Sequence, residues 1–262
     1  MRTAGLAGAL LAAALGAADP SPPVYVTSDL RGWTLHVRKE LTAGDKAAVT
    51  ERAVRLVGAQ LDDVIRLVPA PAVAGLRRIP IYFSPQYAGT PMRAEYHPGK
   101  QWLSANGRDP AMAKAVEFTN LDILDKEVRR MPMLTLHELA HGYHDLVLGY
   151  GHAGVLAAYA AADKAGTYDS VKRRDWQGRV TAGVRAYALT NHKEYFAETT
   201  EAFFGRNDFF PFDWAGKRVN FSAASPMPEE FAQALGGAED GPGRGAGKEP
   251  GVPVSPRLRV RL

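Results

Sequence analysis

The spacing of apolar residues changes period along the chain. From Val24, the segments VYVTSD and GWTLHV alternate: Trp33, Leu35 and Val37 face one way, and Thr34, His36 and Arg38 the other. That period of two predicts a pair of strands. Residues 48–68 then place Val49, Ala53, Leu56, Val57, Leu61, Val64, Ile65 and Val68 on one stripe at helical spacing, stopped by Pro69 and Pro71. A strand follows over 79–83, then a stretch punctuated by Pro and Gly, then a short strand over 116–120. Beyond it the helical period takes over, at about 131–148, 153–165 and 191–204, with a short closing helix over 228–235. After Gly236 large apolar residues almost vanish, so burial cannot offset the ordering entropy and 236–262 is expected to be disordered. A strand-rich lobe followed by a helical lobe predicts an α+β fold, with one domain over 19–235.

The helix over 131–148 carries chemistry that an apolar helix does not need. Its stretch MLTLHELAHGYHD, residues 133–145, holds three histidines and two acids. His137 and His141 are four residues apart, so they differ by ~40° in azimuth and ~6 Å in rise, and their rings converge. Glu138 sits ~100° round from His137, beside that convergence. This HExxH arrangement suits two neutral imidazole ligands to a metal and a carboxylate that takes a proton from the attacking water. His144 lies ~10 Å along the axis from His137, too far to share an ion, and is assigned an outer or surface role. Leu136, Leu139, Ala140, Tyr143 and Val147 form the opposite face, expected to meet the core.

Such a site requires one more protein ligand and leaves a fourth position open. The segment TNHKEYFAE, residues 190–198, offers Glu194 and Glu198 at i and i+4. One carboxylate would bind the ion while the other accepts the spare ring N–H of a ligand histidine. Asn191-x-x-Glu194 also fits a helix-capping box, in which Glu194 would serve backbone alone. Were Glu194 remote, the alternative ligands are Glu198, Glu201, His97 and His192.

Taken together, YALTNHKEYFAE over 187–198, His137-Glu-Leu-Ala-His141 and Asp145 resemble the catalytic domain of the anthrax lethal-factor-type zinc metallopeptidases, within the gluzincin group. The resemblance covers 133–204. It implies a zincin-like fold with Zn2+ held by His137, His141 and Glu194, Glu138 as general base, Tyr187 as the hydroxyl that steadies the oxyanion or leaving group, and Glu198 as an outer carboxylate. Tyr143-His144 departs from the small or apolar pair usual after the second histidine. A second stretch, with Tyr96, His97, Pro98, Trp102, Leu103, Asn106 and Gly107, is similar to one in exported bacterial proteins that also carry HELAH.

Composition narrows the setting. With 262 residues, 46% of them hydrophobic and 23% charged, the chain is long enough for a sizeable core. Ala4 to Ala18 is an apolar run too short to span a bilayer and ends in small residues, so 1–18 is read as a signal peptide and the product as exported, with no stable membrane insertion. No cysteine occurs, so a metal must be held by His and carboxylate. A good share of the net charge of +4 lies in RLRVRL at the C-terminus; no basic helix interleaved with aromatics accompanies it, and nucleic acid is not an expected partner. The expected partner is a peptide or protein substrate; an exposed strand edge would dock it, with 101–104 and 116–120 as candidates, although an ordinary core strand is the favoured reading of each. The aromatic segment 207–214 is expected to pack the glutamate helix against the body. A catalytically silent zincin-like module that binds zinc or an envelope partner is the competing reading.

Overall fold

A computed structural model describes residues 22–210, apart from 167 and 206. The expected leader at 1–18, the expected closing helix at 228–235 and the expected tail from 236 lie outside the described residues. The first half builds strands β1 (Tyr25–Leu30), β2 (Trp33–Arg38), β3 (Ile81–Phe83), β4 (Ala94–His97) and β5 (Ala115–Phe118) into one sheet in the order β1-β2-β3-β5-β4. β1 and β2 form a hairpin whose turn places Arg31 and Gly32 at positive φ, the conformation a tight right-twisting hairpin requires. β2, β3 and β5 run parallel, and β4 returns antiparallel as one edge, with β1 as the other.

Helix α1 (Ala47–Leu67) lays Ala53, Val57, Leu61 and Val64 on the inner face of the sheet, and α2 (Ala70–Leu76) follows after Pro69. Trp33 and Leu35 of β2, Ile81 and Phe83 of β3, and Val116 and Phe118 of β5 meet these helices in the main core. After α3 (Lys100–Ala105) and α4 (Leu124–Arg130) comes α5 (Leu134–Tyr143), the HExxH helix, packed between α1 and the sheet. Then α6 (Ala153–Ala165), β6 (Val171–Arg174), β7 (Val180–Val184), α7 (His192–Phe204) and β8 (Phe209–Phe210) complete the described chain, with a second antiparallel sheet in the order β7-β6-β8.

The fold is therefore mixed α+β, with corrections of detail. The second half is not helical throughout, because β6, β7 and β8 lie within it. Residues 101–104 belong to α3 rather than to a strand, while β5 is an interior core strand, the favoured reading of 116–120, so neither offers an edge. The edge beside β5 is β4, whose four residues fall inside the Pro/Gly-punctuated stretch; the opposite edge is β1. Val147 is 44% exposed rather than part of the core face. The chain leaves α5 through one wide π turn, His144–Leu148, and the extra residue in that turn rotates the later side chains by ~100°. Val147 is thereby carried outward, while His144, seven residues past His137 and on the same face, is directed at His192 and Phe196 of α7. Among the described residues no helix is long and apolar enough to cross a membrane.

Two devices place α5. Gly142 lets it lie against the sheet, since a Cβ there would come within 2.5 Å of Ile79 Cδ1 and 2.9 Å of Tyr96 Cε2. Its N-terminus is capped from α1: Gln60 Oε1 accepts from Thr135 N at 2.9 Å and from the Thr135 hydroxyl, while Gln60 Nε2 donates to Pro132 O at 2.8 Å and Met131 O at 3.3 Å. Replacing Gln60 by leucine leaves these buried groups unpaired and is expected to cost about 1–3 kcal/mol. Chemical denaturation of the variant would show that loss; an unchanged midpoint would mean that α5 is held without this cap.

Candidate metal centre

α5 and α7 face each other, and the facing side chains are the ionisable ones. Asn191 caps α7, its Oδ1 accepting from Lys193 N at 2.8 Å and Glu194 N at 3.0 Å. The Glu194 carboxylate is thus free of the capping task and turns toward the histidines. Its Oε2 lies 3.4 Å from His137 Nε2 and 3.3 Å from His141 Nε2. A charge-assisted hydrogen bond would bring such atoms to about 2.7–2.9 Å. Ligands at about 2.0–2.1 Å from a tetrahedral ion are instead separated by about 3.3–3.4 Å. The buried Oε2 makes no hydrogen bond, although it faces two ring nitrogens. All three ligand atoms lie within 4.8 Å of one another, and two imidazole nitrogens with one carboxylate oxygen form a donor set that suits zinc. Burial alone would push the Glu194 carboxyl up, yet the two imidazoles outweigh it and hold Glu194 well below the usual carboxylate range.

Glu138 is buried on the adjoining face and held by the sheet: the Tyr96 N–H of β4 donates to its Oε2 at 3.0 Å. Burial pushes its carboxyl up, against the pull of His137 and His141, which favours a group that takes up a proton. The Tyr96 hydroxyl donates to Asp145 Oδ2 at 2.8 Å, and Lys114 Nζ reaches the same oxygen at 2.6 Å. Tyr96 thus ties β4 to the HExxH segment at two points, through its amide and through its hydroxyl. Tyr187, in the 3-10 turn Tyr187–Thr190 that leads to α7, is 47% exposed, and partial burial and then the Glu194 charge push its hydroxyl up.

On the far side of His137, Nδ1 lies 3.0 Å from Glu201 Oε1 and 3.6 Å from Glu198 Oε1. Glu198, the expected partner of a ligand histidine, is present, but Glu201 is the closer acceptor. Residue 201 is seven positions past Glu194 and so returns to the same face of α7, and that spacing is the sequence signal that marks it. The other alternative ligands are engaged elsewhere. His97 Nε2 meets Glu117 Oε2 at 2.9 Å beside Arg108, and the His192 ring stands 5.7 Å from that of His144.

His144 is fully buried against Tyr150, His192 and Phe196, not at the surface, and neither ring nitrogen has a hydrogen-bond partner among the described residues. Burial, then the nearby His192, His141, His152 and Lys193, depress its pKa to about 4. A depressed value means that the unfolded chain binds the proton more readily, so this stabilising contribution is present above about pH 6.5 and is lost as pH falls toward 4. Metal-free His144→Phe is therefore expected to lose less stability than the metal-free parent between about pH 6.5 and 4. Parallel thermal midpoints across that window would contradict this.

Comparison with known proteins finds no family model, no curated protein and no solved structure that matches the chain.

Proposed function

We propose that the protein is a zinc-dependent peptidase of the zincin type, with His137, His141 and Glu194 as metal ligands. The observation that carries this reading is the placement of the Glu194 oxygen at tetrahedral-edge distance from two imidazole nitrogens, with no hydrogen bond to either. Held by His137, His141 and Glu194, a zinc ion would polarise a substrate carbonyl and lower the pKa of a bound water toward about 7. Glu138, fixed by the Tyr96 amide, takes the proton from the attacking water and passes it to the leaving amine. An extended peptide docks along β4, which pairs on one side with β5 and, among the described residues, with no strand on the other. Tyr187 donates its hydroxyl to the developing oxyanion. A structural zinc site has no use for a buried base or a half-exposed phenol beside it, which favours an enzyme over a silent binding module.

The reading is tested by hydrolysis of a mixed peptide library, with and without a chelator. Cleavage that stops on chelation and returns with zinc is expected; cleavage indifferent to chelation would exclude it. Tyr187→Phe is expected to lower kcat by about a hundredfold, roughly 3 kcal/mol in the transition state, with zinc content unchanged. An undiminished kcat would remove Tyr187 from the mechanism.

A further inference from the structure

Behind His137 lies a second set of potential ligands: Nδ1 of the same ring, Glu198 and Glu201, all buried and within 4.8 Å of one another. Two carboxylates so close repel unless one holds a proton or hydrogen-bond donors stand between them. The group that stands there is the side-chain amide of Asn207, 2% exposed, in the short segment between α7 and β8. Its Nδ2 donates to Glu198 Oε2 at 2.6 Å and to Glu201 Oε1 at 2.9 Å, and lies 3.2 Å from Glu198 O. Its Oδ1 accepts from Phe209 N at 2.7 Å, which fixes the amide flip and tethers α7 to β8. Next to it, Asp208 Oδ2 takes Arg130 at 2.7 Å and Arg173 at 3.1 Å, holding the segment in place.

We propose that Asn207 is a positioning residue of the metal centre: its amide hydrogens occupy the place of a cation between Glu198 and Glu201 and aim Glu201 at His137 Nδ1, so that Nε2 is the nitrogen left to bind zinc. This rests on the zinc reading of the His137, His141 and Glu194 set. Glu201 accepts the Nδ1 proton, fixes the tautomer and raises the basicity of the ligand nitrogen; outer partners of this kind change metal affinity by about 10–100-fold. Asn207 touches neither metal nor substrate and acts through Glu201.

Asn207→Asp separates this role from simple tethering. Aspartate has the same shape and keeps an acceptor for Phe209 N, but it has no hydrogen to give the two carboxylates. Zinc affinity by competition with a chromophoric chelator is expected to fall about 10–100-fold, and the visible spectrum of the cobalt-substituted protein to shift, with KM changed less than kcat. Glu201→Gln, which keeps an acceptor and removes the charge, is expected to weaken zinc in the same direction and carries the test if the aspartate variant does not fold. Folded variants that bind zinc as tightly as the parent, with an unchanged cobalt spectrum, would overturn the inference and leave the zinc reading standing. A parent chain that takes up no zinc would overturn both.

Discussion

Glu138→Gln is expected to reduce kcat by about 10²–10⁴-fold while the chain keeps its zinc. The substitution is conservative in shape, and a glutamine oxygen still accepts from the Tyr96 amide, so the link between α5 and β4 persists. Only basicity is lost. The residue lies ~100° round the helix from His137 and is outside the three-ligand group, so metal content should not change. Steady-state hydrolysis alongside metal analysis checks both halves. Full activity in the glutamine variant would remove the proposed base, and loss of zinc would make Glu138 part of the ligand set.

His141→Ala has the other large expected effect, on binding rather than on chemistry. Structural zinc sites in finger peptides bind with about 10–16 kcal/mol over four protein ligands, which sets roughly 3 kcal/mol per ligand, so removal of one of the three ligands here is expected to weaken binding by at least ~10²-fold. His141 faces Glu194 across 3.3 Å, and its loss opens one corner of the tetrahedron while the His137–Glu201 contact survives. Zinc and hydrolysis should therefore vanish together at low zinc concentration, while circular dichroism still reports a folded chain. A variant that holds zinc at the parent's affinity would place the ion elsewhere.

How far the molecule can be read from its residues depends on how local the signal is. The hairpin of Trp33 and Leu35, the stripe of α1 and the HExxH spacing are encoded within one or two turns, and each appears where the pattern places it, except that Ile65 at the margin of the α1 stripe is exposed. The capping alternative for Glu194 is settled only in space: Asn191 caps α7 by itself, which frees the carboxylate. β4 is silent in the sequence because four residues flanked by Pro and Gly show no usable alternation, yet its Tyr96 amide holds Glu138. The π turn that exposes Val147 has no periodic signature either. Glu201 is legible as an acid on the same face of α7 as Glu194, but Asn207, whose amide donates to both Glu198 and Glu201, is brought there only by the turn into β8. Gln60 is the clearest nonlocal case, since a polar residue on a core-facing helix is explained only by the N-terminus of another helix.

Metal analysis by inductively coupled plasma mass spectrometry, on protein isolated without chelators and again after stripping and reloading, tests the central claim most directly. One zinc per chain, lost in His141→Ala and kept in Glu138→Gln, is the expected result. A chain that carries no transition metal and takes none up would contradict the account.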